Sequence, residues 1–122
     1  MSERKKWKIQ RALGLELPGL GKPGALEKRN YPPGQHGKAR KPKITQFGAQ
    51  LCEKQKLIFH YGIREEQLRR FVRKAKSLQP KNWIEALVGL LERRLDNVVF
   101  RLGYARSMAA AFWARVAVVM AL

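Results

Sequence analysis

From Thr45 onward, apolar residues recur at intervals of three and four. Leu51, Ile58 and Phe59 alternate with Lys54 and Gln55, and Gly62 offers a stop, so the pattern predicts a helix over residues 46–61. The next stretch is more sharply divided. Leu68, Phe71, Val72 and Ala75 fall on one face while Arg69, Arg70, Arg73, Lys74 and Lys76 take the rest, which predicts a helix buried on one side and cationic on the other. Glu65 and Glu66 sit at its start, where the helix dipole favours them, and the five cations are expected to lack i,i+4 partners. Asn82 with Glu85 three residues on has the spacing of a capping arrangement. Ile84, Leu87, Leu91, Leu95, Val98 and Leu102 then form a long apolar stripe, widened by Leu90 and Val99. One helix of about 20 residues, or two joined near Arg93, would carry it, with Gly103 as terminator. From Ser107 to Leu122 the only charge is Arg115; the expectation there is a packed helix running into a Val-rich strand.

The amino-terminal third reads differently. Residues 2–11 set Trp7 and Ile9 among Arg4, Lys5, Lys6, Lys8 and Arg11, a basic arm expected to be unstructured alone and able to hold phosphates. Gly14, Pro18, Gly19, Gly21, Pro23 and Gly24 then forbid a long regular element. In residues 30–43, Pro32 and Pro33 fix backbone angles while Gly34 and Gly37 allow sharp turning and close approach. Lys38, Arg40, Lys41 and Lys43 are thereby presented at low ordering cost, as a phosphate grip requires.

Charge decides the class of partner. The chain has 122 residues, with 26 Lys and Arg against 9 Asp and Glu, a net charge of +17. Both halves are basic, and such a chain repels itself unless a polyanion neutralises it. Nucleic acid is the first expectation and an anionic membrane surface a distant second. The lone Cys52 excludes an intramolecular disulfide and a cysteine-based zinc cluster. No run approaches the roughly 18 apolar residues of a membrane span, and the charged first residues lack a signal-peptide core, so a soluble protein is expected. No P-loop, dinucleotide fingerprint or nucleophile elbow is present. Asp96, the only aspartate, fits a cap or an ion pair with Arg93, Arg94 or Arg101 better than a catalytic acid, and neither His36 nor His60 has an obvious carboxylate to orient it. The sequence therefore predicts no enzyme and no cofactor or metal.

Six short stretches, taken in order, resemble the S4 family of small-subunit ribosomal proteins in its bacterial and organellar form. They are Leu17-Pro-Gly-Leu20, Tyr31-Pro-Pro-Gly-Gln-His-Gly37, Glu53-Lys-Gln-Lys-Leu57, Phe59-His-Tyr-Gly62, Glu66-Gln-Leu-Arg-Arg70 and Leu90-Leu-Glu-Arg-Arg-Leu-Asp-Asn-Val-Val-Phe-Arg-Leu-Gly103. The resemblance implies a mainly α fold: a helical amino-terminal domain with an extended basic arm and loops, followed by the beginning of a small α+β RNA-binding module. In domain terms it places the arm and Gly/Pro-rich loop at 1–45, the helical domain at 46–90 and the start of the module, incomplete here, at 91–122. It departs from the family after Ser107, where Ala110, Ala111, Phe112 and Trp113 are apolar, and Arg64 replaces the usual capping Thr or Ser, so fraying of the cationic helix is expected.

The function so implied is that of a structural constituent of the small ribosomal subunit. Such a protein binds a junction of 16S-type ribosomal RNA, nucleates assembly of the subunit body and contributes at the messenger entrance and to translational accuracy. Partners implied are small-subunit rRNA, neighbouring small-subunit proteins and messenger RNA, within the ribosome of a bacterial cytoplasm or an organelle, with no membrane and no small-molecule substrate. The rRNA-binding candidates are Arg4, Lys5, Lys6, Lys8, Arg11, Lys22, Tyr31, Gln35, His36, Lys38, Lys54, Lys56, Tyr61, Arg69, Arg70, Arg73, Lys74, Arg94, Arg101 and Arg106, with Trp7, Tyr31 or His36 as stacking groups. Arg40, Lys41 and Lys43 match basic residues at the messenger entrance. The alternative is a free-standing RNA-binding translational or stress regulator.

Overall fold

The computed structural model describes residues 6–21, 23–39 and 43–121. Seven helices are found among them: α1 (Lys6–Leu13), α2 (Ala25–Lys28), α3 (Gln46–Tyr61), α4 (Glu65–Leu78), α5 (Trp83–Glu92), α6 (Leu95–Arg101) and α7 (Met108–Ala121). No strand occurs among the described residues, so the mainly α class holds and no α+β module is seen. The chain divides into two compact units between His60 and Tyr61.

In the first unit α1 packs on α2. The basic arm, expected to be unstructured, is helical from Lys6, with Gln10 buried on the helix and Leu17 buried just beyond it. The Glu16 carboxylate accepts the Gly24 and Leu26 N–H groups at 3.3 and 3.1 Å, holding the short α2 at its start. Thr45 Oγ1 accepts the Gly48 N–H at 3.1 Å and begins α3, an N-cap that satisfies one of the helix's free donors. The helix runs to Tyr61 as its periodicity predicts, and Gly62, at φ 59°, turns the chain away.

The second unit is a chain of packed helices: α4 on α5, α5 meeting α6, and α6 on α7. Leu68 and Ala75, two turns apart on α4, are buried together with Ile63, Leu87 and Leu91. Fraying at Arg64 is offset, because the Gln67 side chain accepts the Arg64 N–H at 2.9 Å. Asn82 stands at the N-cap of α5, where its carbonyl accepts the Ala86 N–H at 3.3 Å, but its side-chain amide donates to the Glu85 carboxylate and caps no backbone N–H. The long apolar stripe breaks into α5 and α6 at Arg93 and Arg94, where Asp96 and Asn97 are buried and demand polar partners. Gly103, at φ 81°, follows α6.

The Val-rich end is not a strand. Ser107 Oγ accepts the Ala110 N–H at 3.2 Å and starts a helix that continues through Val116, Val118 and Val119. A strand here would need a partner for its backbone, which no described residue supplies, whereas a helix satisfies its own groups, and the small β preference of Val does not offset that loss.

Candidate nucleic-acid interface

The cationic helix α4 is built as its pattern predicts. Leu68 and Ala75 hold one face down, with Phe71 and Val72 half-buried beside them. Arg69, Arg70, Arg73 and Lys74 are all exposed. Arg70, Arg73 and Lys74 are spaced i, i+3, i+4 and so form one contiguous cluster. No carboxylate pairs with these three among the described residues. Arg69 does have an i,i+4 partner, contrary to expectation: its guanidinium lies 3.3 Å from Glu65, in an exposed pair of the kind worth at most about 1 kcal/mol. Lys76 is held at 5.2 Å over the Trp83 ring, which draws it toward α5.

In the first unit, Lys6 and Lys8 are exposed on α1, and Gln35, His36 and Lys38 are exposed in the Pro/Gly turn. Hydrogen bonds from the Gly37 N–H to Gly34 and from the Ala39 N–H to His36 close this turn. A Cβ at Gly37 would lie 2.0 Å from the Pro32 carbonyl oxygen, so only glycine fits that position. Arg11 reaches the turn from α1, giving Nε to the Tyr31 carbonyl at 2.9 Å and lying 4.7 Å from the centre of the Tyr31 ring. Lys43 and Arg106 are also exposed, while Arg4, Lys5, Lys22, Arg40 and Lys41 lie outside the described residues.

Other candidates are engaged within the fold. Tyr61 is buried, and its hydroxyl donates to Glu92 at 2.5 Å. Burial first, and then this bond, push that hydroxyl up to about 12. The same carboxylate accepts from Asn97 Nδ2 and from Arg101, each at 2.8 Å. Arg94 pairs with buried Asp96 at 2.5 Å and gives a second bond to the Tyr61 carbonyl at 3.3 Å. Lys56, paired with Glu53 at 2.7 Å, has its pKa raised chiefly by that hydrogen bond, and Lys54 is half-buried. Glu92 was not a sequence candidate; its only signal is the Asn97 spaced five residues on, too general a pattern to mark a hub.

Nothing among the described residues forms a group of three His, Cys, Asp or Glu able to hold a metal ion, and no helix is long and apolar enough to cross a membrane. Cys52 is half-buried in α3.

The family profile described as the ribosomal protein S4/S9 N-terminal domain matches residues 2–92. The small ribosomal subunit protein uS4B of Bdellovibrio bacteriovorus is 64% identical over 106 residues, which cover 87% of this chain and 50% of that protein. The uS4 proteins of Methylobacillus flagellatus and Listeria welshimeri are 55% and 49% identical, over 85% and 86% of this chain and 50% and 51% of their own lengths. The chain thus spans about half the length of the curated relatives it matches. A profile covering most of the chain, relatives at this identity, and exposed cations on a helical scaffold lead to one conclusion: the chain belongs to the uS4 family of small ribosomal subunit proteins, structural components rather than enzymes.

Proposed function

We propose that this chain binds small-subunit ribosomal RNA and helps to fix the relative arrangement of rRNA helices at a junction during assembly of the subunit body. The observation that carries this reading is the Arg70, Arg73 and Lys74 cluster, exposed on a helix whose opposite face is anchored by Leu68 and Ala75 and left without carboxylate partners among the described residues. Cations so placed release counterions from phosphates on contact, and the rigid helix keeps their spacing. Lys6, Lys8, Gln35, His36, Lys38, Arg69 and Arg106 add exposed polar or cationic groups. Tyr61, Arg94, Arg101 and Lys56 contribute by holding the scaffold. Arg40, Lys41 and Lys43 are assigned to the messenger entrance, where they would act on messenger RNA and decoding accuracy, with neighbouring small-subunit proteins as further partners.

The test is binding to a small-subunit rRNA fragment over a salt series, with the R70Q/R73Q/K74Q protein beside the wild type. Each lost phosphate contact should lower the slope of log affinity against log salt by roughly 0.7–0.9, so the triple variant should lose about 2 to 3 from that slope with its helical content intact. An unchanged slope would mean that this face is only solvated. Sedimentation of the chain apart from small subunits, with RNA binding retained, would favour the free-standing regulator.

A further inference from the structure

We infer that Arg11 is a positioning residue, which holds the Pro/Gly turn in its RNA-presenting shape through Tyr31, and is not itself a phosphate ligand. This inference rests on the rRNA-binding reading above and changes the role of one cation within it. Three contacts converge. The Arg11 Nε donates to the Tyr31 carbonyl at 2.9 Å, and Nη2 reaches the Pro32 carbonyl at 3.4 Å. The guanidinium also lies 4.7 Å from the Tyr31 ring centre, within cation–π range. Gly37 abuts the same Pro32 carbonyl and the edge of the same ring, where an added Cβ would stand 2.0 and 3.2 Å away.

Residues 31 and 32 are therefore bonded to Arg11 and packed against Gly37. Lys38, one residue beyond Gly37, has its ammonium 5.5 Å from the centre of the same ring. Tyr31 thus carries an internal cation and an exposed one, and the first fixes where the second stands. A planar fork suits this task, because it meets two carbonyls and a ring together, which a lysine ammonium cannot do. Arg11 is half-buried while Lys38 is exposed, as the division between clamp and ligand requires.

A double-mutant cycle of R11Q and Y31L separates the two roles. If Arg11 acts through Tyr31, each single variant weakens rRNA-fragment binding about tenfold and the double variant is no weaker than the poorer single within about twofold, since coupled residues are non-additive. Y31L leaves the Tyr31 and Pro32 carbonyls in place, so losses that multiply to about a hundredfold, with residues 34–39 as rigid in R11Q as in the wild type, would make Arg11 an independent phosphate ligand and overturn the inference. A second readout needs no RNA: backbone 15N relaxation of the free protein should show residues 34–39 becoming mobile in R11Q and Y31L alike, with α4 unchanged. A turn as rigid in R11Q as in the wild type overturns the inference even if binding falls. If the wild type does not bind rRNA, the functional reading fails while the relaxation result still decides whether Arg11 clamps the turn. Should R11Q lose helical content, R11K replaces it in both measurements. It keeps the charge and loses the fork, so a Lys variant with a wild-type turn is equally contrary to the inference.

Discussion

Replacing Tyr61 by Phe removes one hydroxyl and leaves the ring in place. The lost bond is a 2.5 Å donation to a carboxylate, and bonds to charged acceptors contribute about 1.5–3 kcal/mol. Glu92 keeps Asn97 and Arg101 as donors, so the cost should fall at the lower end, about 1–2 kcal/mol near neutral pH. The pH dependence is the sharper part. The hydroxyl's pKa rises from 10.0 to about 12 in the fold, so the native state retains a proton that the unfolded state releases. Stability from this group is complete below pH 10 and falls as pH climbs toward 12, because the native state then binds more protons than the unfolded one. At about 1.4 kcal/mol per pH unit, the rise from 10.0 to about 12 links roughly 3 kcal/mol at most to that window. Urea unfolding followed by circular dichroism, for wild type and Y61F at pH 7 to 11.5, should show a wild-type advantage that shrinks above pH 10. Contributions common to both proteins cancel in the difference. A Y61F protein equal in stability at pH 7, or a gap that stays constant through pH 11.5, would refute the assignment of Tyr61 as a buried donor to Glu92.

Asp96→Asn leaves Arg94, whose side chain is only 14% exposed, without its charge partner, and should destabilise the second unit by about 3 kcal/mol in the same urea assay. The exposed Arg69 pair provides the contrast: Arg69→Gln should cost no more than about 0.5 kcal/mol. Gly37→Ala drives a methyl into the Pro32 carbonyl and should open the turn, at a cost of about 1–3 kcal/mol, read as increased amide mobility over residues 31–39 with α3 unaffected.

Much of the chain from Thr45 onward was legible because its signals are periodic. The helix over 46–61 and the two-sided α4 follow from apolar spacing and glycine stops, which act locally and need no knowledge of the fold, whereas the stripe after Asn82 fits one helix as well as the two that are found. The helix in the basic arm was not legible, since its run of cations reads as a solvated arm and its packing on α2 does not show in the apolar spacing of residues 6–13. The Val-rich end misled for the opposite reason: a weak local preference for strand outweighed, in the reading, the missing partner strand. In the interface, exposure of Arg70, Arg73 and Lys74 follows from their place on the wheel. The Arg94–Asp96 pair is one of the local ion pairs that the lone aspartate predicts, whereas the bond from Tyr61 to Glu92 is not legible, because those two residues stand 31 apart in sequence and meet only in the folded unit.

The use of the carboxylates has a consequence for handling the isolated molecule. Glu16, Glu53, Glu65, Glu85, Glu92 and Asp96 are held in contacts inside the fold, and with all nine Asp and Glu already counted an excess charge of +17 stays uncompensated. Ionic strength then pushes its two equilibria in opposite directions: added electrolyte loosens the hold on a polyanion, yet relieves the mutual repulsion that strains the bare chain. Concentrated buffer, which strips the nucleic acid away, is also the medium in which the stripped protein should best survive heating.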